Sequence, residues 1–174
     1  GAARAMRMMM TPIRTSREGL VDTCGTGGDG TKSFNISTAT AIVAAAAGAS
    51  VAKHGNRKIT SLSGSADVLS ELGVKIDADR DVVEKCLEQI GICFCFAPLL
   101  HPAMKHVAEV RRGLGVPTLF NYLGPLCNPA GARFQMIGVG DEKLQTKIAA
   151  TLLQLQTEAA NVVRGLDGMD EVTL

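Results

Sequence analysis

Residues 19–56, GLVDTCGTGGDGTKSFNISTATAIVAAAAGASVAKHGN, contain the pattern that decides the fold. A short apolar run ends at a glycine-rich loop, an alanine-rich helical segment follows, and a second apolar run, SVAKHGN, ends in another polar loop. The order strand, loop, helix, strand is typical of two parallel strands joined by a crossover helix. The stretch therefore predicts a parallel β-sheet whose ligand-binding loops follow the carboxyl ends of the strands.

The same alternation continues to the end of the chain and predicts an α/β fold with a parallel sheet covered on both faces. Helical spacing or capping predicts helices at SGSADVLSELG, DRDVVEKCLEQIG, HPAMKHVAEVRRGLG and DEKLQTKIAATLLQLQ. Strands are predicted at ICFCFAP, FQMIGVG and EAANVVRGLDG. Residues 1–18 form a basic, methionine-rich segment that we interpret as the remnant of a helical region.

Composition excludes several classes of function. The 174 residues suit one domain with a small appendage, and a net charge of +1 gives no basic field for nucleic acid. No apolar run approaches a bilayer span, and the N-terminus lacks the apolar core of a signal peptide. Five cysteines and three histidines show no zinc-binding spacing. We expect a cytoplasmic protein with reduced thiols and neither nucleic-acid nor membrane partners.

The glycine loop matches two phosphate-binding patterns incompletely. Gly25, Gly27 and Gly30 fit the dinucleotide spacing G-x-G-x-x-G, but the next strand ends in Lys53 where a ribose-binding acid is expected. A P-loop is excluded because Thr31 separates the last glycine from the following lysine. An anion cradle of backbone N–H groups remains, and the alternative is a glycine-rich turn without a ligand. The cradle would include Gly28, Asn35, Ser37, Thr38 and Lys53.

Three further motifs could bind an anionic substrate. The loop KHGNRKITSLSGS is denser in donors than a turn requires, although a solvated loop is the alternative. Asp170 and Glu171 are adjacent carboxylates that suit Mg²⁺, but such pairs are also common on surfaces. Arg111 and Arg112 on the HPAMKHVAEVRRG helix could hold a planar carboxylate, although surface arginines are common too.

Together the motifs GTGGDG, NIST, KHGNR, SGSAD, HPAMKHVAEVRR, FNYLGPLCNP and DGMDE resemble those of the anthranilate phosphoribosyltransferases, in order and over nearly the whole chain from Val21. The resemblance implies a parallel-sheet phosphoribosyltransferase domain of the nucleoside phosphorylase and anthranilate phosphoribosyltransferase type at residues 21–174. Residues 1–20 would be the remnant of a small N-terminal helical domain, and residues 101–115 would pack with it. Members of this family are longer, so we expect a truncated chain, incomplete at its C-terminus, from a parent that forms a homodimer.

The resemblance also implies roles for individual residues. The residues implied to bind phosphoribosyl pyrophosphate (PRPP) are Gly25, Gly28, Asp29, Ser33, Asn35, Ile36, Ser37, Thr38, Lys53, His54, Gly55, Asn56, Arg57, Ser61 and Ser65. The residues implied to bind anthranilate are Gly25, Asn56 and Arg111, and Asn56 and Arg111 are also implied to be catalytic. The Mg²⁺ ligands would be Ser37, Asp170 and Glu171. His54 could accept a proton, although placement beside the acceptor is the favoured role.

The implied reaction transfers the phosphoribosyl group of PRPP to anthranilate and releases pyrophosphate, a step of tryptophan biosynthesis. Pyrophosphate departs through a cationic state at the ribose, so a metal ion and N–H donors would stabilise the leaving charge. The alternatives are a related phosphoribosyltransferase or nucleoside phosphorylase with another acceptor, and an inactive fragment that only binds ligand. Arg164 stands where the family usually has histidine.

Overall fold

Five parallel strands form a single sheet in the computed structural model, which describes residues 1–27, 30, 33–58 and 63–173. The strands are β1 Val21–Asp22, β2 Val51–Gly55, β3 Ile92–Phe96, β4 Phe134–Gly138 and β5 Ala159–Val163. Their spatial order is β3-β2-β1-β4-β5, and every neighbouring pair is parallel. The predicted α/β class with a parallel sheet is confirmed.

Seven α-helices connect or flank these strands in the described part of the chain. They are α1 Ala2–Met9, α2 Ile36–Ala46, α3 Ser65–Glu71, α4 Arg80–Ile90, α5 Ala97–Leu100, α6 Lys105–Leu114 and α7 Glu142–Gln154. Short 3₁₀ turns cover Pro102–Met104, Leu119–Asn121 and Gly124–Leu126. No helix among the described residues is both long enough and apolar enough to cross a bilayer.

The helical segment predicted at the N-terminus is shorter than residues 1–18. The helix ends at Met9 because Pro12 has no N–H to donate and restricts the residue before it to extended backbone. Residues beyond it are held by long-range bonds instead. The N–H of Thr11 donates to the carbonyl of Leu100 at 2.8 Å, and that of Ile13 donates to Pro129 at 3.0 Å.

The core lies on both faces of the sheet, as the apolar patterning predicts. One cluster joins Leu87 of α4 to Cys93 and Cys95 of β3, so these two cysteines are packing residues of the core. A second cluster joins β4 to α7 and includes Ala3 of α1. The strand register places both of these clusters on one face of the sheet, and on the other face Phe94 and Phe96 of β3 pack against Leu69 of α3. Both faces are therefore covered, and the chemistry is left to the strand ends.

The strand order places a switch point at β1. The chain runs from β1 outward to β2 and β3, and then returns to place β4 on the other side of β1. Crossovers leave in opposite directions at this point, so a crevice opens at the carboxyl ends of β1 and β4. The glycine loop follows β1 directly and therefore lies at this crevice.

Candidate anion-binding site

Three loops converge at the carboxyl ends of β1, β4 and β5 through close backbone contacts. The N–H of Thr26 donates to the carbonyl of Gly138 at 2.8 Å. A Cβ at Gly25 would come within 3.0 Å of that same oxygen, and a Cβ at Gly138 would overlap the carbonyl oxygen of Asp170. Only glycine permits this stacking at Gly138. As a result the segment that contains Asp170 and Glu171 lies against the glycine loop.

Lys53 is a buried cation in the middle of β2. Its side chain is 3% exposed, and its Nζ donates to Ser37 Oγ at 3.2 Å and to Thr23 Oγ1 at 3.3 Å. The Thr23 hydroxyl in turn donates to the carbonyl of Ser37 at 2.8 Å. Burial lowers the pKa of Lys53, while Cys24, Asp22 and Glu171 favour its charged form. The ammonium group is thus fixed beside the first turn of α2.

The N-terminus of α2 carries an unused donor. The Thr38 side chain is 2% exposed, and its hydroxyl has no hydrogen-bond partner among the described residues. Asn35 occupies the N-cap position but makes no capping bond, and its Nδ2 donates instead to Ser63 Oγ at 2.8 Å. Buried polar groups are normally paired, so an unpaired hydroxyl at a helix N-terminus offers a bond to an anionic oxygen.

The loop after β2 is organised by Asp67. Its carboxylate accepts the N–H groups of Lys58 at 2.9 Å and Gly64 at 2.8 Å, and pairs with the Arg57 guanidinium at 3.2 Å. The bonds from Gly64 and Lys58 are the main reason that the pKa of Asp67 is lowered. Sequence reasoning assigned Asp67 only to the start of a helix. Its position as the third residue of α3, where a capping acid turns back to the preceding loop, is the signal that could have revealed this function.

Other residues of the same loop are held by backbone contacts. The Asn56 carbonyl accepts the N–H of Ala66 at 3.1 Å and the hydroxyl of Ser65 at 3.3 Å. A Cβ at Gly55 would overlap the Ser65 hydroxyl. Asn56 and Arg57 are exposed, which leaves their side chains open to solvent at the end of β2.

The His54 ring is directed at the protein interior. Its Nδ1 lies 3.0 Å from the carbonyl of Gly124, and its Nε2 lies 3.0 Å from His101 Nε2. A carbonyl can only accept, so Nδ1 carries the proton and Nε2 accepts from His101. Burial is the main cause that lowers the pKa of each histidine to about 4. The lone pair that could have served as a base is therefore already engaged by His101.

Arg111 lies on α6, outside the loops that follow β1, β2 and β4. Its guanidinium carbon is 5.7 Å from the centre of the Phe120 ring, and its Nη2 is 3.5 Å from Asn121 Oδ1. No hydrogen bond joins Arg111 to Asn56 in the part of the chain that the structure describes. The aromatic ring and the amide orient the guanidinium while leaving it half-buried.

The oxygens of Asp170 and Glu171 are suited to Mg²⁺. Hard cations prefer carboxylate and hydroxyl oxygens, and the backbone of Asp170 contacts Gly138, whose carbonyl accepts the N–H of Thr26 from the glycine loop. Glu171 is also close enough to raise the pKa of Lys53 by its charge. Ser37 is a less independent ligand, since its hydroxyl already accepts from Lys53. The residues present fit a divalent cation at the β5 end of the crevice.

A second group of potential metal ligands lies deeper. Single ligand atoms of Asp22, Cys24 and His54 all fall within 4.8 Å of one another. Burial raises the pKa of Cys24 to about 12, which keeps it a thiol and a poor ligand. Both His54 nitrogens and both Asp22 oxygens already have protein partners. We therefore treat this cluster as a hydrogen-bond network.

The structure brings together most of the predicted cradle and leaves some of it undescribed. Gly25 lies against Gly138, and Lys53 bonds to Ser37 in the first turn of α2, which also contains Ile36 and Thr38; Ser33 before this helix is exposed. The predictions for Gly28, Asp29 and Ser61 fall outside the described residues. Four residues that position the site were given no role there from the sequence: Asp22, Thr23, Asn128 and Gly138.

A parallel sheet with a glycine loop at its switch point defines the class of α/β proteins in which ligands bind beyond the carboxyl ends of the strands. Residues 17–174 match the model of the glycosyl transferase family, a/b domain, and the chain belongs to this family.

Individual relatives give a more specific comparison than the family model. It is 60% identical over 174 residues to anthranilate phosphoribosyltransferase from Rhodopirellula baltica, which covers all of the chain and 51% of the relative. It superposes on anthranilate phosphoribosyltransferase from Thermus thermophilus with a TM-score of 0.90 and 46% identity, covering 99% of this chain and 52% of that one. The Saccharomyces cerevisiae enzyme in complex with PRPP and Mg gives a TM-score of 0.88 at 36% identity, covering 99% and 48%. The chain thus spans about half the length of the relatives it matches.

Proposed function

We propose that this chain supplies the PRPP-binding part of an enzyme that transfers the phosphoribosyl group of PRPP to anthranilate. The products would be N-(5-phosphoribosyl)anthranilate and pyrophosphate. The observation that carries the proposal is the position of Lys53, whose ammonium lies 3.2 Å from Ser37 Oγ at the N-terminus of α2, in the same helical turn as Thr38, whose hydroxyl has no hydrogen-bond partner among the described residues. A fixed cation, a helix N-terminus and an unused donor together favour a polyanionic ligand. The relatives' names supply the identity of the acceptor.

The pyrophosphate of PRPP would lie across the glycine loop and the start of α2. The fixed positive charge of Lys53 and the donors of the first helical turn stabilise negative charge that grows as the bond to the ribose breaks. Because these groups are already held by Thr23 and Ser37, they need little reorganisation during the reaction. In this proposal Asn35 and the loop after β2 hold the ribose phosphate end.

Mg²⁺ would be held by Asp170 and Glu171, with the hydroxyl of Ser37 as a further oxygen. When bound, the ion neutralises charge on the pyrophosphate and so makes it a better leaving group. These residues orient the site through the backbone contact of Asp170 with Gly138, which fixes both acids relative to the glycine loop.

Anthranilate would be held by Arg111 and by the exposed amide of Asn56. The guanidinium can bind a planar carboxylate in a bidentate manner, and the Phe120 ring beneath it supports the flat orientation. The amine of anthranilate is a nucleophile without assistance, so positioning is the main contribution required of the protein. The placement of His54 against Gly124 and His101 agrees with a reaction that needs no side-chain base there.

Turnover is best tested in a chimaera in which residues 1–174 replace the aligned half of the Rhodopirellula baltica relative. With PRPP and Mg²⁺ present, consumption of anthranilate is followed by the loss of its fluorescence. The proposal predicts turnover that requires PRPP and falls when Lys53→Met is introduced, but not with the exposed control Lys75→Met. A folded chimaera that leaves anthranilate unchanged at every Mg²⁺ concentration would contradict the proposal.

A further inference from the structure

The backbone ladder between β1 and β2 ends after one residue pair. Val21 pairs with Val51, and its N–H donates to the carbonyl of Ser50 at 2.9 Å. In a parallel ladder the groups that face one neighbour recur at every second residue. If pairing continued, the Ala52 carbonyl and the His54 N–H would therefore meet the backbone of Thr23.

Two buried side chains occupy those positions instead. Asn128 Nδ2 donates to the Ala52 carbonyl at 2.8 Å, and Asp22 Oδ1 accepts the His54 N–H at 3.0 Å. The side chains are joined to each other, since Asn128 Nδ2 also donates to Asp22 Oδ2 at 2.7 Å. Asp22 is 0% exposed and Asn128 is 3% exposed. We call this pair the Asp22–Asn128 wedge.

The wedge turns the chain away from β2 at the first residues of the glycine loop. Asp22 Oδ1 also accepts the N–H of Cys24 at 3.1 Å, which fixes the start of the loop. Thr23 is thereby freed from the ladder, so its hydroxyl can donate to Ser37 and accept from Lys53. Asn128 is itself held, because its Oδ1 accepts the N–H of Ala130 at 2.9 Å.

We propose that Asp22 and Asn128 are positioning residues of the PRPP site, which hold β1 and β2 apart so that Lys53 and the glycine loop meet at the start of α2. A site of this kind needs a supporting shell that fixes its donors to within a fraction of an ångström. The identity of the ligand rests on the proposed function. The structural part of the inference does not, because the wedge can be observed without any ligand.

The substitution Asp22→Asn keeps the shape of the side chain and removes one acceptor. An amide NH₂ then faces either Asn128 Nδ2 or the two backbone N–H groups of Cys24 and His54, so a donor meets a donor in either orientation. Calorimetry of the 174-residue chain with PRPP and Mg²⁺ should show affinity reduced about tenfold or more. The exposed Asp77→Asn is the matched control and should bind like the wild type.

Amide hydrogen exchange, measured by NMR, tests directly whether Asp22 holds its two backbone N–H groups. The N–H groups of Cys24 and His54 should exchange slowly in the wild type and faster in Asp22→Asn. The amides of the β4–β5 ladder serve as the internal control, since they should remain protected in both proteins. A general loss of stability would expose all of these amides together.

A pair of variants at Asn128 separates positioning from simple packing. Asn128→Asp would place a second carboxylate against that of Asp22, where Asn128 Nδ2 and Asp22 Oδ2 are now 2.7 Å apart. Two carboxylates at this distance cannot both be ionised. PRPP affinity relative to the wild type should therefore recover as the pH falls and the pair takes up a proton. Lys53, Cys24 and Cys95 are the other titratable groups that act on Asp22, and they are common to all variants. Asn128→Ala should be impaired without this recovery.

The outcomes distinguish the two proposals. If the wild type fails to bind PRPP, the proposed function is wrong, and exchange at Cys24 and His54 still decides whether the wedge exists. If the wild type binds, and Asp22→Asn binds equally with both amides protected, the inference is overturned. If Asp22→Asn does not fold, the pH recovery of Asn128→Asp decides, and equal impairment of both Asn128 variants at every pH would contradict positioning.

Discussion

The ammonium nitrogen of Lys53 lies 3.2 Å from the hydroxyl oxygen of Ser37, and this contact joins the middle of β2 to the first turn of α2. This contact places a buried positive charge at the positive end of a helix, an arrangement that is unfavourable without an anion. A bound pyrophosphate would neutralise both the ammonium charge and the positive end of the helix dipole. The relationship explains why β2 carries a lysine, rather than an acid, at this position.

Loss of this charge should weaken PRPP binding selectively. We expect Lys53→Met, which keeps the length and apolar stem of the side chain, to reduce PRPP affinity roughly 10- to 100-fold, the range for one charge-assisted hydrogen bond. Calorimetric titration measures the effect. Lys75→Met, at an exposed lysine, is the control, and equal affinity in the two variants would exclude Lys53 from the site.

Arg111 should act on the acceptor alone. In the chimaera, Arg111→Ala should raise the KM for anthranilate by about tenfold or more and leave the KM for PRPP close to that of the wild type, because the guanidinium would bind only the carboxylate. Arg112→Ala, at the exposed neighbour on the same helix, should change neither value. An unchanged anthranilate KM in Arg111→Ala would favour a different acceptor.

The two buried histidines should make stability depend on pH. Burial lowers the pKa of both to about 4 in the folded chain, from 6.5 for an unperturbed histidine, so the unfolded chain binds more protons between these values. Their contribution is fully present above about pH 6.5 and is lost as the pH falls towards 4. For one such histidine the loss is roughly 3 kcal/mol.

Urea unfolding at a series of pH values measures this contribution. His101→Gln, which retains an N–H donor for His54, should flatten the dependence between pH 6.5 and 4.5. His106→Gln, at an exposed histidine of α6, should keep the wild-type slope. A wild-type free energy of unfolding that does not change over this interval would show that the pair is not held neutral.

Gly138 should tolerate no side chain. A Cβ there would overlap the carbonyl oxygen of Asp170, so Gly138→Ala must push the β5 loop away from the glycine loop. We expect a loss of about 1–3 kcal/mol in the free energy of unfolding, together with weaker Mg²⁺-dependent PRPP binding. Gly113→Ala is the control, because a Cβ at that helical position meets nothing within 4 Å and should be neutral or stabilising.

Local patterns were sufficient to predict the sheet and most of its helices. The short apolar run of SVAKHGN predicts β2, the alternation in ICFCFAP predicts β3, and the glycine loop correctly marks the end of β1. The length of β1 could not be predicted, because it depends on Asn128, a residue 106 positions away in the chain from Asp22. The inward direction of the His54 ring could not be predicted for the same reason, since its partners Gly124 and His101 are remote in sequence.

The cradle was predictable only as a set of residue types. Glycines, a lysine and hydroxyls near the start of a helix indicate an anion site. The structure brings Lys53, Ser37 and Thr23 together beside the first turn of α2. The role of Gly138 could not be inferred, because a glycine that permits close approach of two loops looks in sequence like any glycine at a strand end. Tertiary packing, rather than local preference, determines these positions.

The central claim is that this chain holds PRPP at the junction of Lys53, the glycine loop and α2. Calorimetric titration of the 174-residue chain with PRPP, with and without Mg²⁺, tests it most directly, with ribose 5-phosphate as the ligand that lacks the pyrophosphate. We predict saturable binding of PRPP that is strengthened by Mg²⁺, weakened by Lys53→Met, and much tighter than that of ribose 5-phosphate. Equal affinity for the two ligands, or no binding of PRPP by the folded chain, would contradict the claim.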